Sequence, residues 1–382
     1  MTRCLSPAIA AVAFVGAATL SCSAEPTQVL QASSSARALS DRRAPTVTPQ
    51  VSGTSNGLIG VSPVSARVVW ASGRGGTFVV TADGGATWRA GVVPGAEALQ
   101  FRDVEGVSDK IAYLLSIGNG TDSRIYKTEN GGATWALQFT NQDPNAFYDC
   151  FAFWTSKRAI AFSDSVNGRF PVRRTTDGAT WIDIGEKLPA ALPGEAGFSS
   201  SGTCVATQGE KRAWIGTGGA TRARILATKD GGDRWAAYDT PLRGSPSAGV
   251  FSVEFRSSTH GIIGGGDLDP TAPPFDNVAR SSDGGKTWHV AARAAIGTVF
   301  GLAYARERGD VEEEGDDESS SRGSRVTVMV TGPGGTAWSA DEGDTWNSLA
   351  GVTGFWAVAF ANERTGWLVG TQGRILKVTF EK

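Results

Sequence analysis

The sequence is poor in the residues that usually form reactive centres. It has two histidines and two methionines among 382 residues, so neither a histidine-rich metal site nor a methionine-rich groove is expected. The 36 lysines and arginines are balanced by 38 aspartates and glutamates, which leaves no basic excess for nucleic acid. The chain also lacks a glycine-rich nucleotide loop before a helix and a nucleophile elbow. We therefore expect no cofactor, no metal and no nucleic acid partner.

Long apolar runs are absent apart from one near the N-terminus. The run from Ala8 to Leu20 is too short to span a bilayer and is followed by small residues, so residues 1–24 are typical of an export signal cleaved after Ala24. Alternatively, Cys22 is the lipidated residue of a lipoprotein signal. Either version predicts an exported protein in the periplasm, in the medium, or at the outer membrane through its lipid anchor alone.

Cysteines are few as well. Of the four in the chain, Cys4 lies in the signal, and removal or lipidation of Cys22 leaves Cys150 and Cys204. These two lie at equivalent places in adjacent repeats, and an exported compartment permits oxidation. The spacing leaves a disulfide and a pair of buried free thiols equally open.

Two further stretches lack any apolar periodicity. Residues 25–45 are rich in serine and alanine, which predicts a flexible tether. Residues 306–325 contain eight acidic residues against four arginines, and this composition predicts a disordered surface insertion. Weak divalent-ion binding is the functional alternative for the insertion.

Glycine (50 residues) and tryptophan (12 residues) are, by contrast, abundant, and many of them belong to one repeated octad. Its six copies are TADGGATW (81–88), TENGGATW (128–135), TTDGATW (175–181, one glycine short), TKDGGDRW (228–235), SSDGGKTW (281–288) and SADEGDTW (339–346). Their tryptophans are separated by 47, 46, 54, 53 and 58 residues. Self-similarity at such a period is typical of propellers and solenoids.

Each repeat has the same order of apolar segments. In the second repeat, ALQFRDVEGV (98–107), KIAYLLSIG (110–118) and RIYKT precede the octad, and a short fourth strand follows its tryptophan. After the last octad three strands remain, and the segment from Thr46 to Ser52 supplies their missing partner. We predict an all-β, seven-bladed propeller of four-stranded antiparallel blades over residues 46–382, with the last blade closed by an N-terminal strand.

The octads are interpreted as structural corners. The aspartate, replaced by asparagine in the second copy, accepts hydrogen bonds from nearby backbone N–H groups, and the glycines permit positive φ. The tryptophan wedges between neighbouring sheets, where its burial contributes about 2–3 kcal/mol. A calcium loop would need more carboxylates. The predicted corner residues are Asp83, Trp88, Asn130, Trp135, Asp177, Trp181, Asp230, Trp235, Asp283, Trp288, Asp341 and Trp346.

The octad resembles the Asp-box, or BNR repeat, of sialidases and sortilin-like receptors. Together with GWLVGTQGRIL (366–376) and AWIGTGG (213–219) ahead of RILATKDGGDRW (224–235), it makes the chain similar to the photosystem II stability/assembly factor family over about residues 50–382. The resemblance implies a propeller that holds a protein partner on an arginine-rich face. The octad is specific for the fold, whereas unrelated functions share it.

A partner-binding face would combine arginines with aromatic residues, which are enriched at binding hot spots. Scattered, solvent-facing arginines without a role are the alternative. By loop position, the residues predicted to form this face are Arg74, Arg102, Arg169, Arg222, Arg224 and Arg374 with Phe147, Tyr148, Phe300 and Trp356.

We predict an exported, non-catalytic monomer that binds a protein or peptide segment at the propeller face. The alternative is a glycoside hydrolase that uses two carboxylates in the channel, for which Glu97 and Asp149 are the candidates, with Glu195 and Glu254 near the same strands. The Arg-Ile-Pro sequence of sialidases is absent, and no residue supports a redox cofactor.

Overall fold

The computed structural model describes residues 43–306 and 326–381. These residues form 28 β-strands in seven four-stranded antiparallel sheets, and their helical segments are three single-turn 3-10 helices. The chain is a seven-bladed β-propeller, as the sequence predicts. None of the helical segments in these two ranges has the length and apolar character needed to cross a membrane. The predicted signal at 1–24, the tether up to residue 42 and insertion residues 307–325 lie outside the described residues.

The strands follow the chain in order, and the first of them belongs to the last blade. Strand β1 (Thr46–Gln50) precedes blade 1, which contains β2 (Leu58–Pro63), β3 (Val69–Gly73), β4 (Thr77–Thr81) and β5 (Arg89–Val92). Blade 2 contains β6 (Gln100–Gly106), β7 (Ala112–Ile117), β8 (Arg124–Thr128) and β9 (Ala136–Thr140). Blade 3 contains β10 (Tyr148–Thr155), β11 (Arg158–Ser163), β12 (Val172–Thr175) and β13 (Ile182–Asp183). Blade 4 contains β14 (Val205–Gln208), β15 (Arg212–Gly216), β16 (Arg224–Thr228) and β17 (Ala236–Asp239), and blade 5 contains β18 (Ala248–Phe255), β19 (Gly261–Asp267), β20 (Val278–Ser281) and β21 (His289–Val290). Blade 6 contains β22 (Gly301–Tyr304), β23 (Val328–Gly332), β24 (Gly335–Ser339) and β25 (Asn347–Ser348). Blade 7 contains β26 (Phe355–Phe360), β27 (Thr365–Gly370) and β28 (Ile375–Thr379).

The two ends of the chain meet in blade 7. Its strand order is β1-β28-β27-β26, and β1 pairs antiparallel with β28, with Thr46 opposite Thr379 and Gln50 opposite Ile375. The closing strand predicted from the sequence is therefore confirmed. Because the outermost strand of this blade comes from the start of the chain, the ring closes without leaving a three-stranded sheet at its end.

The core lies between the blades. The innermost strands β2, β6, β10, β14, β18, β22 and β26 contact one another in that order around a closed ring. Among the described residues, seven hydrophobic clusters fill the spaces between adjacent blades. Between blades 1 and 2, for example, Trp70, Phe78 and Phe101 are at most 2% exposed. The stabilising burial is thus distributed around the ring rather than concentrated in one centre.

The octads form corners between the third and fourth strands of six blades. In the first, the Thr81 hydroxyl and the Thr87 N–H donate to Asp83 Oδ1 at 2.8 and 2.9 Å, and the Thr87 hydroxyl donates to Asp83 Oδ2 at 2.6 Å. The N–H of Gly85, whose φ is +86°, donates to the Thr81 hydroxyl. The bonds from Thr87, followed by the bond from Thr81, lower the pKa of Asp83 to about 2. The same bonds recur around Asp283 and Asp341.

Each octad tryptophan packs into the interface with the preceding blade. Trp135 of blade 2 lies 5.1 Å from the ring of Phe78 in blade 1. The interface between blades 6 and 7 has no octad tryptophan, because blade 7 has no octad, and Phe380 packs there at 5.6 Å from Trp338. The tryptophans therefore act as wedges at the blade interfaces, in agreement with their sequence interpretation.

The two cysteines of the propeller form a disulfide. Cys150, in β10, and Cys204, directly before β14, are both fully buried and have a Cα–Cα distance of 5.9 Å. The structure thus contains the first of the two alternatives that the sequence leaves open. The bond joins the innermost strands of blades 3 and 4, and a crosslink of this kind typically stabilises a fold by about 2–4 kcal/mol.

Candidate binding surface at the channel mouth

A β-bulge recurs at the same place in the innermost strands of five blades. A bulge leaves one residue outside the ladder pairing and re-aims its side chain. The five residues left unpaired are Ile59, Arg102, Asp149, Phe251 and Trp356. All lie near the start of their strands, so one end of the channel, which we call the channel mouth, has a different side chain at the equivalent position of each of these blades.

Aromatic rings form a row along one side of the channel mouth. The half-buried Trp356 of blade 7 lies 5.1 Å from Phe300 of blade 6, and Phe300 lies 5.9 Å from Phe251 of blade 5. Phe251 in turn stacks on Phe198 with a centroid distance of 4.1 Å. Offset and tilted rings at such distances attract one another. This aromatic row gives the channel mouth a rigid apolar side with Trp356 at its accessible end.

Two arginines lie over Trp356. The guanidinium of Arg102 is 5.2 Å from the indole centroid, and that of the exposed Arg74, directly after β3, is 6.0 Å away, both within cation–π range. Burial, together with repulsion from Arg74, lowers the pKa of Arg102 to about 10, and attraction to Asp149 opposes this effect. Arg102 Nη1 donates to Ser199 O at 3.2 Å, but its buried Nε has no hydrogen-bond partner. The positive charge at this point is incompletely compensated.

A segment of blade 4 crosses the channel beside these arginines. Residues 196–203, here called the plug segment, carry Gly202 against blade 2, where an added Cβ would lie 2.5 Å from Asp103 Oδ1. The Ser201 hydroxyl donates to the carbonyl of Phe300 in blade 6 at 2.6 Å. Thr203 is hydrogen bonded to Ser252 of blade 5 at 2.7 Å. Because it contacts blades 2, 5 and 6, the plug segment closes the channel at this level.

Two aspartates lie against the plug segment. Asp149 is buried, its Oδ2 has no hydrogen-bond partner, and an added Cβ at Gly197 would lie 2.7 Å from that oxygen. Asp164 is half-buried, and its Oδ1 accepts the N–H of Gly197 at 2.8 Å. Burial, followed by the charge of Asp164, raises the pKa of Asp149 well above its usual range, and burial also raises the pKa of Asp164. Two buried carboxyls in contact favour sharing one proton, as neither charge is well solvated.

Three of the predicted arginines lie away from the aromatic row. Arg169 pairs with Asp183 at 2.8 Å and Arg222 pairs with Asp239 at 2.6 Å, both on exposed outer strands. Arg374 donates to the carbonyl of Thr371 in its own loop at 3.2 Å and to that of Thr353, before β26, at 2.9 Å. These guanidinium groups are compensated locally, so Arg74 and Arg102 are the predicted arginines that the structure brings to the channel mouth.

Two predicted surface residues are internal. Arg224 is 8% exposed and donates from Nε to Glu195 Oε1 at 2.8 Å, and Glu195 is itself 1% exposed. Tyr148 is fully buried, and its hydroxyl accepts a hydrogen bond from Arg173 Nε at 3.0 Å. Their prediction as contact residues is wrong, because loop position does not reveal that each has a buried partner. Phe147 is half-buried and lies outside the aromatic row.

The carboxylates predicted for a hydrolase are not brought together. Glu97 is exposed and accepts an N–H of its own loop at 3.0 Å, whereas Asp149 is buried beside Asp164. Glu195 is paired with Arg224, and Glu254 accepts the N–H of Tyr304 at 2.8 Å. Within residues 43–306 and 326–381, no three or more His, Cys, Asp and Glu side chains are grouped to hold a metal ion.

Fold and site together define a seven-bladed propeller with a closed channel and an arginine–aromatic mouth. No protein-family model matches the sequence, and no curated protein matches it. Among solved structures, "YCF48 bound to D1 peptide" is similar with a TM-score of 0.59 and 16% identity, covering 89% of this chain and 96% of that chain. YCF48 from Cyanidioschyzon merolae has a TM-score of 0.55 and 16% identity, covering 87% and 98%. The WD40 repeats of RRP9 have a TM-score of 0.59 and 11% identity, covering 89% and 100%. At these identities the likeness concerns the fold.

Proposed function

We propose that this chain is a non-catalytic propeller that binds an extended segment of a partner protein across the channel mouth. The observation that carries the proposal is the placement of Arg74 and Arg102 over the half-buried indole of Trp356, next to Phe300. Arginine and tryptophan are the residues most enriched among those that dominate binding energy, particularly where neighbouring groups exclude water.

The charge of Arg102 indicates what the partner brings. This guanidinium is half-buried and repelled by Arg74, and its hydrogen bonds go to the Ser199 carbonyl and the Gln100 amide oxygen rather than to a carboxylate. A carboxylate of the partner would supply an acceptor and a compensating charge, and hydrogen bonds between ionised groups are about twice as strong as neutral ones. The partner segment would therefore place an acidic group at Arg102 and an apolar side chain against Trp356.

The plug segment determines how the partner lies. It crosses the channel and bonds to Phe300 and to Arg102, so a partner chain cannot thread through the ring at this level. We place the segment across the channel mouth, beside Arg74, Arg102 and Trp356.

The comparisons support this proposal. One similar structure is described as YCF48 bound to a D1 peptide, which is a propeller of this type in complex with a peptide. The octad bonds around Asp83, Asp283 and Asp341 support the interpretation of the octad as an Asp-box. We accordingly propose that the chain belongs among the Asp-box propellers and acts as an assembly- or stability-factor-like module.

Export is part of the proposal. The disulfide between Cys150 and Cys204 fits an oxidising compartment, and residues 1–24 have the composition of a signal. We expect intact-mass measurement of the protein from its source to find a chain that begins at residue 25 or at an acylated Cys22. A full-length cytoplasmic chain with reduced thiols would contradict export.

The binding proposal is tested by comparative capture followed by mass spectrometry. The bait carrying Arg74→Ala with Trp356→Ala should lose the captured partner by at least about tenfold, because the two groups that contact it are removed. The matched control carries Arg169→Ala with Arg222→Ala, which removes two exposed arginines from corresponding turns of blades 3 and 4. Equal capture by both double variants would reject the channel mouth as the binding surface.

A further inference from the structure

Cations close the outer clefts at several blade junctions. At these junctions a cation near the octad of one blade donates a hydrogen bond to a carbonyl at the tip of the next octad. The bonds at three junctions run from Lys377 Nζ to Gly84 O (3.1 Å), from Arg174 Nη1 to Gly231 O (2.9 Å) and from Arg280 Nη1 to Glu342 O (3.3 Å). Each cation bridges two neighbouring octads or their equivalents, and its side chain fills the outer cleft between the blades.

The junction between blades 4 and 5 departs from this pattern. Ala227 occupies the position of the cation, since it pairs with Trp214 as Lys377 pairs with Trp367. The tip carbonyl of Gly284 accepts the indole N–H of Trp214 at 2.8 Å instead. The missing side chain leaves a cavity of about 390 Å³ between the two blades. Its size is within the range of small-molecule sites, which is about 300–1,000 Å³.

The walls of this cleft combine rings with unpaired cations. Trp235 and Tyr238 line it from blade 4, and both are half-buried. Exposed Lys229, Arg234 and Lys286 lie around it, and none of the three has an ion pair within the described part of the chain. Arg212 and Trp214 also line it, so four cationic and three aromatic side chains surround one cavity.

The acids in the cleft offset part of this charge but do not cancel it, since two aspartates, Asp230 and Asp283, line it against four cationic side chains. Asp230 Oδ1 accepts the hydroxyl of Thr228 and the N–H of Arg234 at 2.9 Å each. Asp283 accepts the hydroxyl of Thr287 at 2.6 Å and two backbone N–H groups of its own corner. Their carboxylates brace the corners, and the exposed positive side chains remain available to a ligand.

A second cavity, between blades 1 and 2, provides an internal comparison. It measures about 580 Å³, and Val80 occupies the position of the cation there. However, Arg89 donates to the carbonyl of Gly131, and Lys110 pairs with Asp109 at 3.5 Å. The cations of this cleft are engaged within the protein, so the cleft between blades 4 and 5 differs in having free positive charge.

We propose that the cleft between blades 4 and 5 binds an acidic saccharide. The half-buried ring of Tyr238 offers an apolar surface to a sugar, and Lys229, Arg234 and Lys286 offer donors to its carboxylate groups. This site is separate from the channel mouth, so it goes beyond the proposed function and does not depend on it.

The test titrates the full chain with digalacturonic acid and with maltose, a neutral disaccharide, followed by calorimetry and tryptophan fluorescence. The acidic disaccharide should bind with a Kd below about 1 mM and maltose at least about tenfold more weakly. Sulfate alone should not compete at equal concentration. Equal binding of maltose, equal competition by sulfate, or no binding of digalacturonic acid would each overturn the proposal.

Variants locate the site. Ala227→Arg restores the cation found in blades 3 and 5 and should weaken binding at least about tenfold by filling the cleft. Arg234→Ala with Lys286→Ala should weaken it similarly, even if the first variant folds poorly. The matched control removes two exposed cations elsewhere, Arg67→Ala with Lys157→Ala. An unchanged Kd in the cleft double variant, or an equal loss in the control, would overturn the assignment. Binding in Trp356→Ala, a channel-mouth variant, should be unchanged.

Discussion

The octad corners are nearly the same in every blade that has one, whereas the residues of the channel mouth differ from blade to blade. Corners in six blades repeat nearly the same bonds, for example around Asp83 and Asp283. At the channel mouth, equivalent bulges of five blades carry an isoleucine, an arginine, an aspartate, a phenylalanine and a tryptophan. A group needed by every blade is repeated, whereas a group needed once by the whole molecule differs from blade to blade. In this propeller, repetition identifies scaffold and its absence identifies the candidate site.

The largest contrast should come from two tryptophans. Trp288 of the fifth octad is 7% exposed and packs on Phe255, so Trp288→Ala should lower the free energy of unfolding by about 3–5 kcal/mol. Trp356 of the channel mouth belongs to none of the blade-interface clusters, and Trp356→Ala should cost less than half as much while it removes partner binding. Denaturant titration checks both, and similar losses would erase the distinction between corner and mouth.

A slightly smaller contrast should separate two arginine–carboxylate pairs. Glu195 anchors the start of the plug segment, and Glu195→Ala leaves the buried guanidinium of Arg224 without a carboxylate, with the Ala190 carbonyl as its remaining acceptor. This should cost about 3 kcal/mol or more. The matched control, Asp239→Ala, breaks the exposed pair with Arg222 and should cost less than about 1 kcal/mol. Thermal or denaturant unfolding decides, and a small loss in Glu195→Ala would show that the plug segment does not need this anchor.

Acid should weaken the corners before the channel mouth. The folded pKa of Asp83, about 2, is below the unfolded value of about 3.9, so its stabilisation is complete above about pH 4 and is lost as the pH falls toward 2. Asp83→Asn should reduce this acid sensitivity, and Asn130 already makes equivalent bonds in the second octad. Unfolding curves between about pH 5 and pH 2 measure the effect. Exposed Glu186→Gln is the control, and an equal change there would contradict the assignment.

The smallest effect on stability should appear as the pH rises from about 5 to about 8. The pKa of Asp149 is raised by burial and by Asp164, so this pair favours the folded state at low pH, and that contribution is lost as the pH rises through the raised pKa. Asp149→Asn removes the repulsion and hardly changes the volume of the side chain. We expect the variant to lose less stability than the native protein between about pH 5 and pH 8. An identical pH profile would mean that the two carboxyls are not coupled.

The fold can be predicted from the sequence because the sequence is repetitive. The six octads and the three strands after Trp346 determine the number of blades, and the extended segment from Thr46 onward matches the missing strand. These inferences need only local patterns and a count. For the same reason the octad interpretation agrees with the bonds around Asp83.

The residues of the channel mouth are harder to predict from the sequence, because they do not recur from blade to blade. The structure places Arg74, Arg102 and Phe300 around Trp356, whereas Arg224 and Tyr148 bond to residues that are distant in sequence. The plug segment was missed altogether. The interval of 54 residues between the third and fourth octad tryptophans does not reveal it, because the next interval is 53 residues. Small polar residues such as those of 199–203 are indistinguishable from a linker by composition.

The sharing of blade 7 by both ends of the chain has a consequence for biosynthesis. Thr46 to Gln50 leaves the ribosome more than 300 residues before Ile375 to Thr379, its partner strand, is made. During that time the early blades can form pairwise contacts, but the circle stays open and its first and last interfaces stay uncovered. Folding of this protein therefore finishes with the pairing of β28 and β1, and a chain that lacks its last strand would leave the ring of blades open.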